Sequence, residues 1–216
     1  MVRMRSQCER VGSSLSKGVN KEPKGGRVRR KVLLCAATTV ALVILGSGMA
    51  PAETIRCDGG RCDGTNLTDV LKGSAVRDVM YGLRADDELY GNVGGDELHG
   101  DAGNDTIKGG SGGNEMYGEA GNDLLQGGSG DEDMNGGPGT DRLYSADGGD
   151  RLSGGLDRDR MSGGLGRDEL LGGEDDDTIG SQDGVFDVVD CGPGDYDAVV
   201  IDRGLDSVRN CENVIW

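Results

Sequence analysis

From Leu71 onward a large aliphatic residue returns at every ninth position: Leu71, Met80, Leu89, Leu98, Ile107, Met116, Leu125, Met134, Leu143, Leu152, Met161, Leu170 and Ile179. Self-similarity at a fixed period signals a repeat architecture. Divided from Gly64, the chain yields thirteen nonapeptides over 64–180 without insertion or deletion. Position 8 of each carries the aliphatic, and position 1 is Gly in twelve copies, the exception being Ser145. Positions 7 to 9 are predicted to form a short strand that sends position 8 inward and positions 7 and 9 outward. Positions 1 to 6 are predicted to form a Gly-rich turn, in which glycine allows backbone angles closed to other residues. A three-residue strand is not stable alone, so the repeats must stack and bury their aliphatics as one continuous column.

Composition makes that core a thin one. The chain of 216 residues holds 42 Gly and only 3% aromatics, with 39 acidic against 23 basic residues. Such acidity with few aromatics ordinarily leaves a chain disordered, because too little apolar surface is buried to offset backbone entropy. Something besides a hydrophobic core must hold it. Residues 1–52 carry ten of the basic residues and only two acids, so 53–216 has 13 basic and 37 acidic residues, a net of −24. That surface repels nucleic acid and anionic lipid and attracts cations.

The acids are placed where a cation is needed. Position 6 is Asp in eleven copies: Asp69, Asp78, Asp87, Asp96, Asp105, Asp123, Asp141, Asp150, Asp159, Asp168 and Asp177. Asn114 and Glu132 fill the other two and still offer oxygen. If two nonapeptides make one coil, equivalent carboxylates lie one strand spacing apart, about 4.8 Å. Carboxylates that close repel by roughly 1 kcal/mol per neighbour in water and by several times that at lower effective dielectric. Rows of them are tolerable only with divalent cations between. Carboxylate and carbonyl oxygens suit Ca²⁺, with its six to eight flexible ligands, better than the strict octahedron of Mg²⁺.

The pattern Gly-Gly-x-Gly-x-Asp-x-aliphatic-x, best seen in GGPGTDRLY (136–144) and GGLGRDELL (163–171), resembles the RTX, or hemolysin-type, calcium-binding repeat. The resemblance implies an all-β fold, a right-handed parallel β-roll with several Ca²⁺ ions between successive turns on each side. It also implies the position-6 Asp and turn carbonyls as ligands. Asp-Val-Val-Asp-Cys-Gly-Pro-Gly, with a later Cys-Glu-Asn-Val, is similar to the ending of small secreted bacterial members. The metal ligands expected on this basis form two rows, Asp105, Asp123, Asp141, Asp159 and Asp177 on one side, and Asp96, Asn114, Glu132, Asp150 and Asp168 on the other. The first row is expected to bind more tightly, and the second to be weakest around Asn114 and Glu132. At position 4, Leu67, Val76 and Ala85 replace the family's Gly in the first three copies, whose turns are expected to bind weakly or not at all. Asp157 and Asp175 depart from it in the same way.

The N-terminus reads as an address. Arg27-Val-Arg-Arg-Lys31 precedes an apolar stretch from Val32 to Leu45, and Ala50-Pro51-Ala52 supplies the small-x-small pattern of a signal-peptidase site. A signal peptide over 1–52 is expected, with cleavage near Ala52, a secreted product and no membrane span in the mature chain. Fourteen apolar residues fall short of the roughly 20 that span a bilayer, which counts against the competing reading of a retained anchor. Arg29-Arg30 only loosely fits a twin-arginine signal. Cys8 and Cys35 leave with the signal, and Cys57, Cys62, Cys191 and Cys211 remain, an even number for an oxidising compartment. Four cysteines allow three pairings; proximity favours Cys57–Cys62 and Cys191–Cys211. A four-cysteine zinc site is the competing reading, with poor spacing. Residues 53–63 then form an N-terminal cap. Residues 181–216 break the repeat, gather Phe186, Trp216 and a concentration of valines, and are expected to be a C-terminal cap of irregular strands. A calcium site at Asp195-Tyr196-Asp197, which carries one extra residue, is doubtful.

No catalytic constellation emerges, and the chain is read as a non-enzyme. Gly109-Gly-Ser111-Gly-Gly113 fits a nucleophile elbow in letters but lies in register with the repeats and lacks the strand–turn–helix setting. His99, the only histidine, falls at an outward position 9 with no partner constellation. Asp86-Asp87 and Asp175-Asp176-Asp177 are explained by the repeat and a solvated face rather than by glycosidase chemistry. Asp183-Gly-Val-Phe-Asp187 lacks the Gly and terminal Glu of an EF-hand. The expected function is a secreted calcium-binding β-roll folded by its metal. The runner-up is a calcium-stabilised structural or adhesive surface protein whose face binds a protein or glycan.

Overall fold

The computed structural model describes residues 52–216. The signal-peptide reading, Ala52 apart, and Cys8 and Cys35 lie outside the described residues. Nineteen strands and no helix occur among those residues. Odd-numbered strands in chain order form one ten-stranded sheet and even-numbered strands a nine-stranded sheet. Every pairing within them is parallel, so the chain is a β-solenoid of about nine turns, a parallel β-roll.

Each coil takes two nonapeptides. Leu89 pairs with Ile107, Ile107 with Leu125, and Met134 with Leu152, each 18 residues apart. The thirteen position-8 aliphatics are at most 2% exposed and stack into the core. Burying one such side chain contributes about 1.5–3 kcal/mol, so the column is the main apolar term in the roll. Beyond it Ile55 and Cys62 extend the two columns at one end, and Val189 and Val199 extend them at the other.

Two features differ from the sequence reading. The strands are longer than positions 7 to 9. Thr106–Ser111, Leu124–Ser129 and Arg151–Leu156 each run six residues, through positions 1 to 3 of the next repeat. Nothing at the glycine-rich positions 1 and 2 obstructs pairing, and the turn is compressed into positions 4 to 6. Residues 181–216 are also more regular than an irregular cap. Val188–Asp190 and Ser207–Arg209 continue the nine-stranded sheet, and Ala198–Ile201 and Asn213–Ile215 the ten-stranded one. Their spacing departs from 18 in both directions: Leu170 pairs with Val189 and Ile179 with Val199, 19 and 20 residues on, and Val199 with Val214, 15 on. The extra residues sit in turns, where they disturb no strand register.

Two disulfides close the ends. Cys57–Cys62 and Cys191–Cys211 are formed, with Cα atoms 5.8 and 5.2 Å apart. Cys57 and Cys191 are buried at the ends of the core. No helix among the described residues is long and apolar enough to cross a membrane.

Candidate metal centre

The turns between the sheets carry position 6. The chain passes from the nine-stranded to the ten-stranded sheet through turns containing Asp87, Asp105, Asp123, Asp141, Asp159 and Asp177. It returns through turns containing Asp78, Asp96, Asn114, Glu132, Asp150 and Asp168. The two expected rows therefore lie along opposite edges of the roll. All ten expected ligand residues are buried, none more than 4% exposed.

One side-chain oxygen of most position-6 residues holds the stack together by accepting a backbone N–H from the coil before it. The Asp105 N–H donates to Asp123 Oδ1 at 2.7 Å, and Asp123 N–H to Asp141 Oδ1 at 2.7 Å. In the first row this continues unbroken from Asp69 to Glu212, through Asp197, in eight bonds of 2.7–3.0 Å. The second row is built alike from Gly59 to Asn114 and again from Glu132 to Asp206. Between Asn114 and Glu132 the link is a side-chain one, Asn114 Nδ2 donating to Glu132 Oε1 at 3.4 Å. Glutamate is one methylene longer than aspartate, so its carboxylate sits displaced from the common position.

The other oxygen has no such partner. Asp87, Asp96, Asp105, Asp123, Asp141, Asp150, Asp159, Asp168, Asp177 and Asp197 each bury Oδ2, and Glu132 buries Oε2, with no donor in reach. A buried ionised carboxylate costs several kcal/mol unless it is paired, so it must take up a proton or a cation. Burial, with neighbouring carboxylates adding to it, pushes Asp105, Asp141 and Asp177 up to about 7. Asp159 and Glu132 reach about 8 for the same first reason.

Main-chain oxygen lies beside these orphaned atoms. A methyl group placed on Gly91 would fall 2.6 Å from Asp96 Oδ2 and 2.5 Å from the Gly109 carbonyl oxygen of the next coil. At Gly82 the same construction lies 2.7 Å from both Asp87 Oδ2 and the Gly100 carbonyl oxygen. Position 1 is glycine because a side chain there would occupy the space these oxygens face. Among the described residues no three His, Cys, Asp or Glu side chains converge as a metal cluster. Any ion at a turn must therefore be held by carboxylate and carbonyl together. All-oxygen, mixed ligation of this kind fits Ca²⁺.

Position 4 shapes the turn. Gly94, Gly103, Gly112, Gly121, Gly130, Gly139, Gly148 and Gly166 take φ between +112° and +159°, and Ala85, Asp157 and Asp175 settle nearer +70°. Leu67 and Val76 have no positive φ and point into solvent. Their turns differ in a second way. Asp69 Oδ2 accepts from the Thr65 N–H and hydroxyl, and Asp78 Oδ2 from the Ser74 N–H and hydroxyl. Asp87, grouped with them on sequence, has an orphaned oxygen and belongs with the later turns. So does Asp197. The signal for the difference was present in the chain as a hydroxyl at position 2, four residues before the Asp.

His99 stacks between Tyr81 and Tyr117, with ring centroids 4.5 and 4.8 Å away, and its two nitrogens face Glu97 and Glu119. It is a member of a surface ring column.

The RTX calcium-binding nonapeptide repeat (4 copies) family matches the chain at residues 63–98, 72–107, 90–125, 108–143 and 144–179. No curated protein matches the sequence. The matched stretch ends short of Asp187 and Asp197, which the structure nevertheless places in the same two rows.

Proposed function

This chain belongs to the RTX calcium-binding nonapeptide repeat family, a structural calcium-binding fold, and from that premise we propose a secreted β-roll that calcium folds. The observation that carries the reading is the set of eleven buried carboxylates whose inner oxygens meet no donor, with a backbone carbonyl of the next coil beside those of Asp87, Asp96, Asp105, Asp123, Asp141, Asp159 and Asp177. Calcium held there by the inner carboxylate oxygens and the neighbouring carbonyls would supply the positive charge these rows lack. The chain's own residues do the rest. The outer oxygen of each position-6 Asp in these rows fixes the coil spacing by accepting the backbone N–H of the coil before it, and the position-8 column excludes water from beneath. A second rail reinforces the first edge: Asn104, Asn122 and Thr140 donate backbone N–H groups to Asp86, Asn104 and Asn122 side chains, each at 2.8 Å.

Without metal, at neutral to basic pH, repulsion along both rows opposes stacking, and the thin core does not offset backbone entropy. Metal binding then contributes folding free energy directly. Secretion is supported by two disulfides, which persist in oxidising compartments, and by the signal-like N-terminal sequence. Export of an unfolded chain into a calcium-rich medium would couple folding to arrival.

Far-UV circular dichroism of metal-stripped protein at pH 8, titrated with Ca²⁺ and separately with Mg²⁺, tests this. A disorder-to-β transition with calcium and none at equal Mg²⁺ is expected. A spectrum indifferent to calcium sinks the proposal.

A further inference from the structure

Not every turn in the two rows is built for a cation. We propose that calcium occupies only turns whose inner carboxylate oxygen lacks a protein donor, and that side-chain donors replace it at Asp69, Asp78, Asn114 and Asp187. This rests on the calcium-binding reading above and assigns its sites turn by turn.

Three different donors make the replacement. Thr65 and Ser74, at position 2, each give a backbone N–H and a hydroxyl to the inner oxygen of Asp69 and Asp78, at 2.6–3.0 Å. Ser181 stands at position 1 where glycine is usual, and its hydroxyl donates to Asp187 Oδ2. At Asn114 the donor is the residue itself. Its Oδ1 accepts from Asp96 N–H, as the Asp residues of the row accept from the coil before them, so Nδ2 must take the inner place. The equivalence is geometric: Asn114 Nδ2 lies 2.6 Å from a methyl built on Gly109, as Asp96 Oδ2 does for Gly91. That nitrogen donates to the Gly112 carbonyl at 2.8 Å and toward Glu132. An amide N–H₂ aimed where a cation would sit repels one and satisfies the oxygens that would have bound it.

The two rows are therefore unequal. The first is continuous from Asp87 to Asp197, seven turns, and its last member lies outside the recognisable repeats. The second has Asp96 alone, then a break at Asn114, then Glu132, Asp150 and Asp168. The coil nearest the Cys57–Cys62 disulfide has its turns closed by hydroxyls, so its stacking does not wait for metal.

Counting bound ions by native mass spectrometry and equilibrium dialysis at saturating calcium tests the assignment, with circular dichroism checking that each variant is folded. Relative to the unchanged protein, Asn114→Asp should gain at least one ion and Ser181→Gly, which restores the usual position-1 residue, one. Asp197→Asn should lose one, and Asp69→Asn none. If Asp69→Asn loses as many ions as Asp197→Asn, or folded Asn114→Asp gains none, the assignment is wrong. Should Asp197→Asn fail to fold, Asn114→Asp and Ser181→Gly still decide, because both predict a gain. An unchanged protein that takes up no calcium overturns the parent reading as well; one that binds calcium but ignores these substitutions overturns this inference alone.

Discussion

Gly130→Ala is the substitution for which the structure gives the clearest number. Gly130 occupies position 4 with φ +131°, and an added Cβ would lie 2.6 Å from the Gly112 carbonyl carbon and 2.8 Å from its oxygen. Comfortable carbon–carbon contact is about 3.5–4.0 Å, so the two turns would have to separate by about 1 Å. The neighbour is backbone in the adjacent coil, which no rotamer change can move. Left-handed strain on a residue with a Cβ costs about 1–3 kcal/mol, and the forced overlap a further ~1–3. A loss of about 3 kcal/mol follows, or roughly 6–12 °C in Tm for a folded unit of this size. Gly180→Ala is the control. It lies in a strand without positive φ, its new Cβ would meet nothing nearer than 3.8 Å, and it should be neutral or stabilising by up to ~1 kcal/mol. Thermal and urea unfolding at one fixed free-calcium concentration compares the two, since ligand level shifts apparent stability. Equal stabilities for the two variants would refute the claim that coil-to-coil contact, and not glycine content, restricts position 4.

Leu143→Ala, fully buried in the column, should cost about 2–5 kcal/mol in urea unfolding, far more than a change at exposed Leu165. Loss of Cys191–Cys211, spanning 20 residues, should cost about 3 kcal/mol and loss of Cys57–Cys62, spanning 5, about 2, as read by unfolding of the Cys→Ala pairs. For the metal-stripped protein, Asp123 and Asp168 are raised to about 6, Asp141 to about 7 and Asp159 to about 8, all first by burial. Folded values above unfolded ones mean the folded form binds more protons, so metal-free stability is present in acid and lost as pH rises through 6–8. Circular dichroism of stripped protein should therefore show more β structure at pH 5 than at pH 8. Protons and calcium compete for the same oxygens, so apparent calcium affinity should fall over that range as pH drops, measured by titration at fixed ionic strength.

Much of this was legible in the chain because the repeat is strict. The thirteen position-8 aliphatics, from Leu71 to Ile179, announce one continuous column, and the eleven Asp residues six positions into each repeat announce two charged rows. Proximity along the chain made Cys57–Cys62 and Cys191–Cys211 the economical pairing, and both bonds are present. A periodic sequence repeats its local geometry, so one good copy describes the rest.

Where periodicity lapses, that argument has no purchase. Residues 181–216 look irregular because their spacing wanders from nine, yet Val189, Val199 and Val208 still stack in register, since a turn absorbs an extra residue without moving a strand. Nor does the letter at position 6 decide what its carboxylate does. Asp69 and Asp87 are the same residue in the same position, but Thr65 donates to one inner oxygen and Leu83 can offer the other no hydroxyl. The sequence by itself determined the coil, its column and its two acidic edges. Only the tertiary structure decided which oxygens are left without a donor, because that depends on contacts among residues brought together by the folded turn and by stacking of coils 18 or more residues apart.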